Sequence, residues 1–180
     1  MSANPYLPDM ATVVEVIEET SNIKTFRVVL NDEQRMKEFS FEPGQVGQLS
    51  VFGAGASTFV INSSPTRMDY LQFSVMRVGE VTNRLHQLRP GDQIGVRAPL
   101  GNAFPVKELE GKNIIFIGGG IGMAPLRTLF VYMLDNRKKY KDITLLYGAR
   151  TPDDLSYRAE LPEWTGRKDV NVVLTVDNPA

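Results

Sequence analysis

Four glycines in five residues, Gly118-Gly119-Gly120-Ile121-Gly122, follow directly on the apolar run Asn113–Ile117. Glycine loses more conformational freedom on folding than any other residue, so such a cluster marks a place where the backbone must turn and be approached closely. Its flanks say which place. A continuous apolar run of strand length predicts a strand buried on both faces of a parallel sheet, and Ala124–Leu134 has helical spacing. Ile143–Tyr147 is a second buried run, Asp153–Leu161 reads as a short helix, and Val170–Val176 as a third strand. Strand, glycine loop, helix, strand, helix, strand is the first half of a doubly wound α/β sheet.

Glycines between a parallel strand and a helix let the backbone reach a pyrophosphate, whose charge the free N–H groups of the helix start favour. The candidate contacts are Gly118, Gly119, Gly120 and Gly122, with Met123, Ala124 and Pro125 opening the helix. Gly120-x-Gly122 fits the first two glycines of the dinucleotide fingerprint, and Pro125 stands at its third position. The second strand ends Tyr147-Gly148-Ala149-Arg150. An arginine there suits a 2′-phosphate where an acid would hold ribose hydroxyls, and the choice between NAD and NADP is open. A turn that only joins strand to helix is the plainer alternative.

The first hundred residues read as β structure. Ala11–Glu18, Ile23–Leu30, Gly47–Phe52, Thr58–Asn62, Tyr70–Val78 and Gln93–Arg97 are short strands parted by polar and glycine-rich breaks, with Asn31–Ser40 as a loop. Six such strands predict a small closed barrel or sandwich. One interruption is helical, Val81–Leu88, with Val81, Leu85 and Leu88 on one face. Gly79 permits a tight turn ahead of it, and Thr82 Oγ1 is either an extra donor to a diphosphate or a plain cap. Arg77, closing the fifth strand, either reaches a phosphate or is solvated. His86 is expected to be a packing or surface residue.

What the chain lacks narrows its chemistry. It has no cysteine and a single histidine, which excludes disulfides, thiolate metal sites and histidine clusters from this stretch. A net charge of −1 argues against a general nucleic-acid binder. The longest apolar runs are too short to span a bilayer, and Met1-Ser2-Ala3-Asn4-Pro5 carries no secretory signal pattern. A cytoplasmic protein is the expectation.

Three motifs in order resemble the ferredoxin–NADP⁺ reductase superfamily. Ile115–Leu126 is similar to its nicotinamide-binding loop, Gly91–Pro105 to its last barrel strand and exit, and Val78-Gly79-Glu80-Val81-Thr82 to its flavin pyrophosphate turn. The wording is nearest to flavin subunits of soluble hydrogenases, anaerobic sulfite reductases and dihydroorotate dehydrogenases. The resemblance runs from about Thr12 to Val176 and implies a six-stranded antiparallel FAD-binding barrel over residues 1–105, a linker at 106–112, and an NAD(P)-binding α/β domain at 113–180. It places the flavin ring along Phe59, Val60, Ile61 and Asn62, and the diphosphate by Arg77, Val78, Gly79, Val81 and Thr82. Two departures matter. Val60 stands where relatives carry a hydroxyl near flavin N5, and no arginine precedes Phe59.

The resemblance implies an oxidoreductase that moves hydride and electrons between NAD(P)H and FAD, with no catalytic side chain required and no metal site. A [2Fe–2S] cluster belongs beyond this chain or in a partner, since no cysteine here can hold it. The expected partners are NAD(P)H and iron–sulfur or catalytic subunits of a larger complex. Alternatives are a stand-alone NAD(P)H:acceptor reductase and a non-catalytic flavin- or nucleotide-binding scaffold. Since the sequence stops just after the third parallel strand, a longer parent polypeptide is also expected.

Overall fold

A computed structural model of the chain describes residue 4 and residues 6–179. The rest of the opening segment read above for a leader, and Ala180, lie outside the described residues. The chain builds two sheets in sequence order.

The first sheet has six strands: β1 (Asp9–Glu18), β2 (Ile23–Leu30), β3 (Val46–Val51), β4 (Gly55–Val60), β5 (Leu71–Met76) and β6 (Gln93–Leu100), in the order β4-β3-β6-β1-β2-β5. Every pairing is antiparallel. Register shifts at Val13/Glu15 and Val46/Gln48 put an extra residue into one strand, which bends the sheet toward closure. The seam between the outer strands is made just past β4. Asn62 N–H donates to Gln72 O at 2.8 Å, and Gln72 N–H donates to Ser63 Oγ at 3.2 Å. Inward residues of alternating strands, among them Val13, Phe26, Leu49, Ile61, Phe73 and Ile94, form one apolar core.

The region Asn31–Ser40, expected as loop, holds a short helix α1 (Glu33–Glu38). The Asp32 carboxylate accepts from Arg35 N–H at 2.9 Å, a cap that lets a polar stretch form one and a half turns with nothing buried. Helix α2 spans Glu80–Leu85 and buries Thr82 and Leu85. It is shorter than the Val81–Leu88 expected. A further turn, α3 (Val106–Leu109), lies in the stretch between the sheets.

The second sheet is parallel: β7 (Ile114–Gly119), β8 (Ile143–Ala149) and β9 (Asn171–Val176), in the order β7-β8-β9. Helix α4 (Met123–Asp135) leads from β7 to β8. The expectation of a β7 buried on both faces is corrected. Ile114 and Phe116 are buried, but Ile115 is 67% and Ile117 74% exposed, and Leu146 and Val173 lie on the same open face. Helices cover only the other face, where Phe116, Phe130 and Trp164 stack edge-on with centroids 5.4 and 5.2 Å apart.

The helix expected over Asp153–Leu161 is also corrected. A single 3₁₀ turn covers Pro152–Asp154, and α5 begins later, at Leu161–Gly166. Between them Tyr157 takes φ +62°, the left-handed region, which ends any helix passing through it.

Candidate functional site

The glycine loop sits at the carboxyl end of β7. Its four glycines divide into two kinds. A Cβ on Gly118 would meet Leu126 Cδ1 and Met123 Sδ at 3.2 Å, so this glycine exists for close packing of strand on helix. A Cβ on Gly119, Gly120 or Gly122 would meet nothing within 4 Å. Their bare backbone faces open space, as a loop meant to be approached requires. Gly120 has φ +50°, and Gly120–Gly122 forms a 3₁₀ turn that runs into α4. Pro125 falls in the first turn of α4, where a missing N–H costs no helical hydrogen bond. That explains a residue the dinucleotide fingerprint did not anticipate. Met123 and Ala124 are buried beneath the loop.

Tyr147, buried on β8, ties the loop down. Its hydroxyl donates to Gly120 O at 3.4 Å and accepts from Ser156 N–H at 2.8 Å. Burial pushes this phenol up from its ordinary value, so it stays protonated.

The loop borders a cleft of about 580 Å³ between the two sheets. Thr20, Asn22, Ile23 and Met76 form the barrel side, while Gly119, Gly120, Gly148 and Arg150 form the other. Asp154, Thr175 and Asp177 complete it. The barrel wall is shaped by a tight turn in which Thr20 Oγ1 receives Ile23 N–H at 3.1 Å and donates to Asn22 Oδ1 at 3.0 Å. Sequence reasoning found Gly119, Gly120 and Arg150, but it missed the β1–β2 turn. Nothing local in Thr20–Ile23 signals a ligand, because only the packing of the two sheets brings it there. Arg150 pairs with Asp154 at 3.4 Å.

The segment expected beside a flavin is split by the fold. Phe59 and Val60 end β4 half-buried, whereas Ile61 turns into the barrel core and Asn62 is fully buried. None of the four lines the cleft. The turn ahead of α2 is closed on itself. Thr82 Oγ1 accepts from Val78 N–H at 2.9 Å and Gly79 N–H at 2.8 Å, and donates to Gly79 O at 2.9 Å. The hydroxyl expected as an extra donor to a diphosphate is thus already committed within the turn. Gly79 has open space where a Cβ would be, Val78 and Arg77 are exposed, and Val81 packs on the barrel core. His86 Nε2 donates to Val75 O at 2.8 Å beneath Phe26, a packing role.

A buried polar network joins the two sheets. Asn62 Nδ2 donates to Ser74 Oγ at 2.6 Å and to Tyr157 OH at 2.9 Å, and Tyr157 OH donates to Ser74 Oγ at 2.9 Å. Ser74 and Thr25 hydroxyls meet at 2.6 Å. The Glu19 carboxylate accepts from Tyr157 N–H at 2.6 Å. Burial pushes the Glu19 carboxyl up despite this bond. Burial also pushes the Tyr157 hydroxyl far above its ordinary value, so it remains a donor. Asn62 Oδ1 is buried with no partner.

The residues present fit a dinucleotide at the glycine loop, because the exposed backbone there has open space and a cleft beside it. For a flavin, the half-buried Phe59 and the bare Gly79 offer accessible surface, with no side-chain hydroxyl at Val60. Among the described residues no group of His, Cys, Asp and Glu could hold a metal, and no helix is long and apolar enough to cross a membrane.

Residues 116–180 match the family described as the oxidoreductase NAD-binding domain. The chain is 40% identical over 158 residues to the sulfhydrogenase 1 subunit gamma of Pyrococcus furiosus, covering 88% of this chain and 54% of that one. It is 37% identical to a probable dihydroorotate dehydrogenase B (NAD⁺) electron transfer subunit of Methanocaldococcus jannaschii, covering 83% and 51%. The ferredoxin–NADP⁺ reductase of Plasmodium falciparum shares the fold, with a TM-score of 0.77 at 18% identity over 94% of this chain and 70% of that one. The chain spans about half the length of the curated relatives it matches.

Proposed function

We propose that the chain is a member of the ferredoxin–NADP⁺ reductase superfamily and an FAD- and NAD(H)-dependent oxidoreductase subunit that relays electrons to a redox partner in a larger cytoplasmic complex, a reading supported by its likeness to an oxidoreductase NAD-binding domain and to electron transfer subunits. The observation that carries this reading is the pairing of an exposed, Cβ-free glycine loop with a cleft walled on its far side by the barrel. A dinucleotide on the loop would point its nicotinamide toward the sheet that bears the flavin strand. Bound nicotinamide and flavin supply the hydride chemistry themselves. The chain's own part is to bind both, exclude water and hold them within roughly 3–3.5 Å of each other. Gly119 and Gly120 present backbone to the diphosphate, Phe59 and Val60 border the flavin ring, and the turn at Val78–Thr82 borders its phosphates.

The cleft favours NAD(H) over NADP(H). Asp154 holds the Arg150 guanidinium, and Asp177 lines the same cleft. One carboxylate on the arginine and a second lining the same cleft oppose a 2′-phosphate. The relatives named as hydrogenase and dihydroorotate dehydrogenase subunits support an iron–sulfur or catalytic subunit as the acceptor. The full-length polypeptide tests the reading: purified, it should be yellow with one FAD per chain, and NADH should bleach the flavin bands under anaerobic conditions. A colourless protein that takes up no FAD would leave only a scaffold.

A further inference from the structure

The strand expected beside the flavin and the loop expected to receive the nicotinamide lie on different sheets, and a single helix connects them mechanically. α4 begins at the glycine loop. Its fifth residue, Arg127, is only 5% exposed and reaches across the interface. Its Nη1 donates to the backbone carbonyl of Asn62. Its Nε and Nη2 fork onto the Glu160 carboxylate at 3.0 and 2.7 Å, and its guanidinium lies 5.4 Å over the Tyr157 ring. The last residue of the same helix, Asp135, holds Arg67 through two bonds at 2.7 and 3.1 Å and also receives the Thr66 hydroxyl. Arg127 and Asp135 stand eight residues apart, about 12 Å along the axis, and they grip the two ends of one segment, Asn62–Arg67.

We propose that Arg127 is a positioning residue that sets the register of the flavin strand against the dinucleotide loop. This rests on the redox reading above. An arginine suits the task because its planar fork is fully specified by Glu160, leaving its remaining nitrogen aimed in one direction. Asn62 receives that nitrogen on its carbonyl while its amide N–H closes the barrel seam on Gln72. One residue therefore transmits the position of α4 to the end of β4. Neither Arg127 nor Glu160 needs to touch either cofactor.

The test uses the full-length polypeptide and two conservative variants, Arg127→Lys and Glu160→Gln. Lysine keeps the charge but cannot fork onto Glu160 and reach Asn62 O together, while glutamine loosens the fork from the other side. Flavin reduction by saturating NADH is followed by rapid mixing, together with the long-wavelength charge-transfer absorbance of stacked rings. FAD content, NADH affinity and amide exchange at Asn62 and Ser63 are measured alongside. Expected in both variants are a tenfold or greater fall in reduction rate, a weaker charge-transfer band, and faster exchange at Asn62, with FAD content and NADH affinity within twofold of the parent. Reduction rates within twofold of the parent in both variants would overturn the proposal. Loss of FAD from both would overturn it too, because Arg127 would then maintain the barrel rather than its register. If NADH failed to reduce the flavin of the parent, the redox reading would fall, while unchanged amide exchange in the variants would separately remove the clamp.

Discussion

The hydroxyl of Tyr157 accepts the side-chain amide of Asn62 at 2.9 Å across 95 residues of sequence. It reaches that place from a left-handed backbone conformation that costs a non-glycine residue about 1–2 kcal/mol. Five contacts hold it there: Glu19 on its N–H, Asn62 and Ser74 on its hydroxyl, and Trp164 and the Arg127 guanidinium against its ring. Replacing Tyr157 with Phe strips the hydroxyl and leaves the buried Asn62 amide short of an acceptor. The expected cost is about 1–3 kcal/mol, read from the denaturant midpoint. A midpoint equal to the parent's would mean that the hydroxyl contributes nothing there.

Gly119 and Gly118 should respond oppositely to substitution. Gly119 has φ −131° and open space around a Cβ, so Gly119→Val should fold normally and block only the approach of a dinucleotide. NADH affinity should fall at least about tenfold, or ~1.4 kcal/mol, with FAD content unchanged. Gly118→Val drives methyls into Leu126 and Met123 and should lower stability by about 1–3 kcal/mol. Titration and thermal melts distinguish the two. Unaltered NADH affinity in Gly119→Val would take the loop out of the site.

Much of this fold was legible because its signals are local. The glycine loop, the apolar strands Ile143–Ala149 and Ile23–Leu30, and the helix after Gly122 each declare themselves in a window of ten residues or so. The misreadings share a cause. Asp153–Leu161 has helical composition, but Tyr157 is pulled into a left-handed turn by Glu19 and Asn62 from another sheet. Ile115 and Ile117 are apolar enough for a doubly covered strand, yet which neighbours cover them is not written in β7 itself. Arg127 in the helix and Thr20–Ile23 in a hairpin turn look like ordinary surface residues until the sheets meet.

Glu19 should leave a mark on pH dependence. Burial raises its carboxyl above the ordinary 4.5. The folded chain therefore holds this proton more tightly than the unfolded chain does. The stability it contributes is full below about pH 4.5 and is lost as pH rises through the raised folded value. Glu19→Gln keeps an oxygen for Tyr157 N–H and removes the titration. The stability of Glu19→Gln minus that of the parent should increase from pH 4.5 to neutrality, measured by denaturant unfolding at several pH values. A difference that is flat with pH would refute the assignment.

Cofactor preference should turn on Asp154. Its pairing with Arg150 at 3.4 Å is exposed and weak, so removing the carboxylate frees an arginine rather than unfolding the loop. Asp154→Asn should raise NADPH affinity relative to NADH by about fivefold, or ~1 kcal/mol. The ratio of the two dissociation constants is the measurement, and no movement in it would detach Asp154 from the ribose end.

The seam of the barrel has a consequence for how the protein is made. Asn62 and Gln72 close the cylinder, yet the residues that steady Asn62 are Arg127 and Tyr157, 65 and 95 positions downstream. At about 5–20 residues per second, a ribosome needs several seconds after Asn62 emerges before it delivers those supports. In the later part of that interval, once β6 has emerged at Leu100, the nascent barrel is complete in sequence but unlatched along one side. Pausing or slow codons after β6 has emerged and before Tyr157 does should therefore expose the first sheet to chaperones and proteases, although all six of its strands are already outside the ribosome.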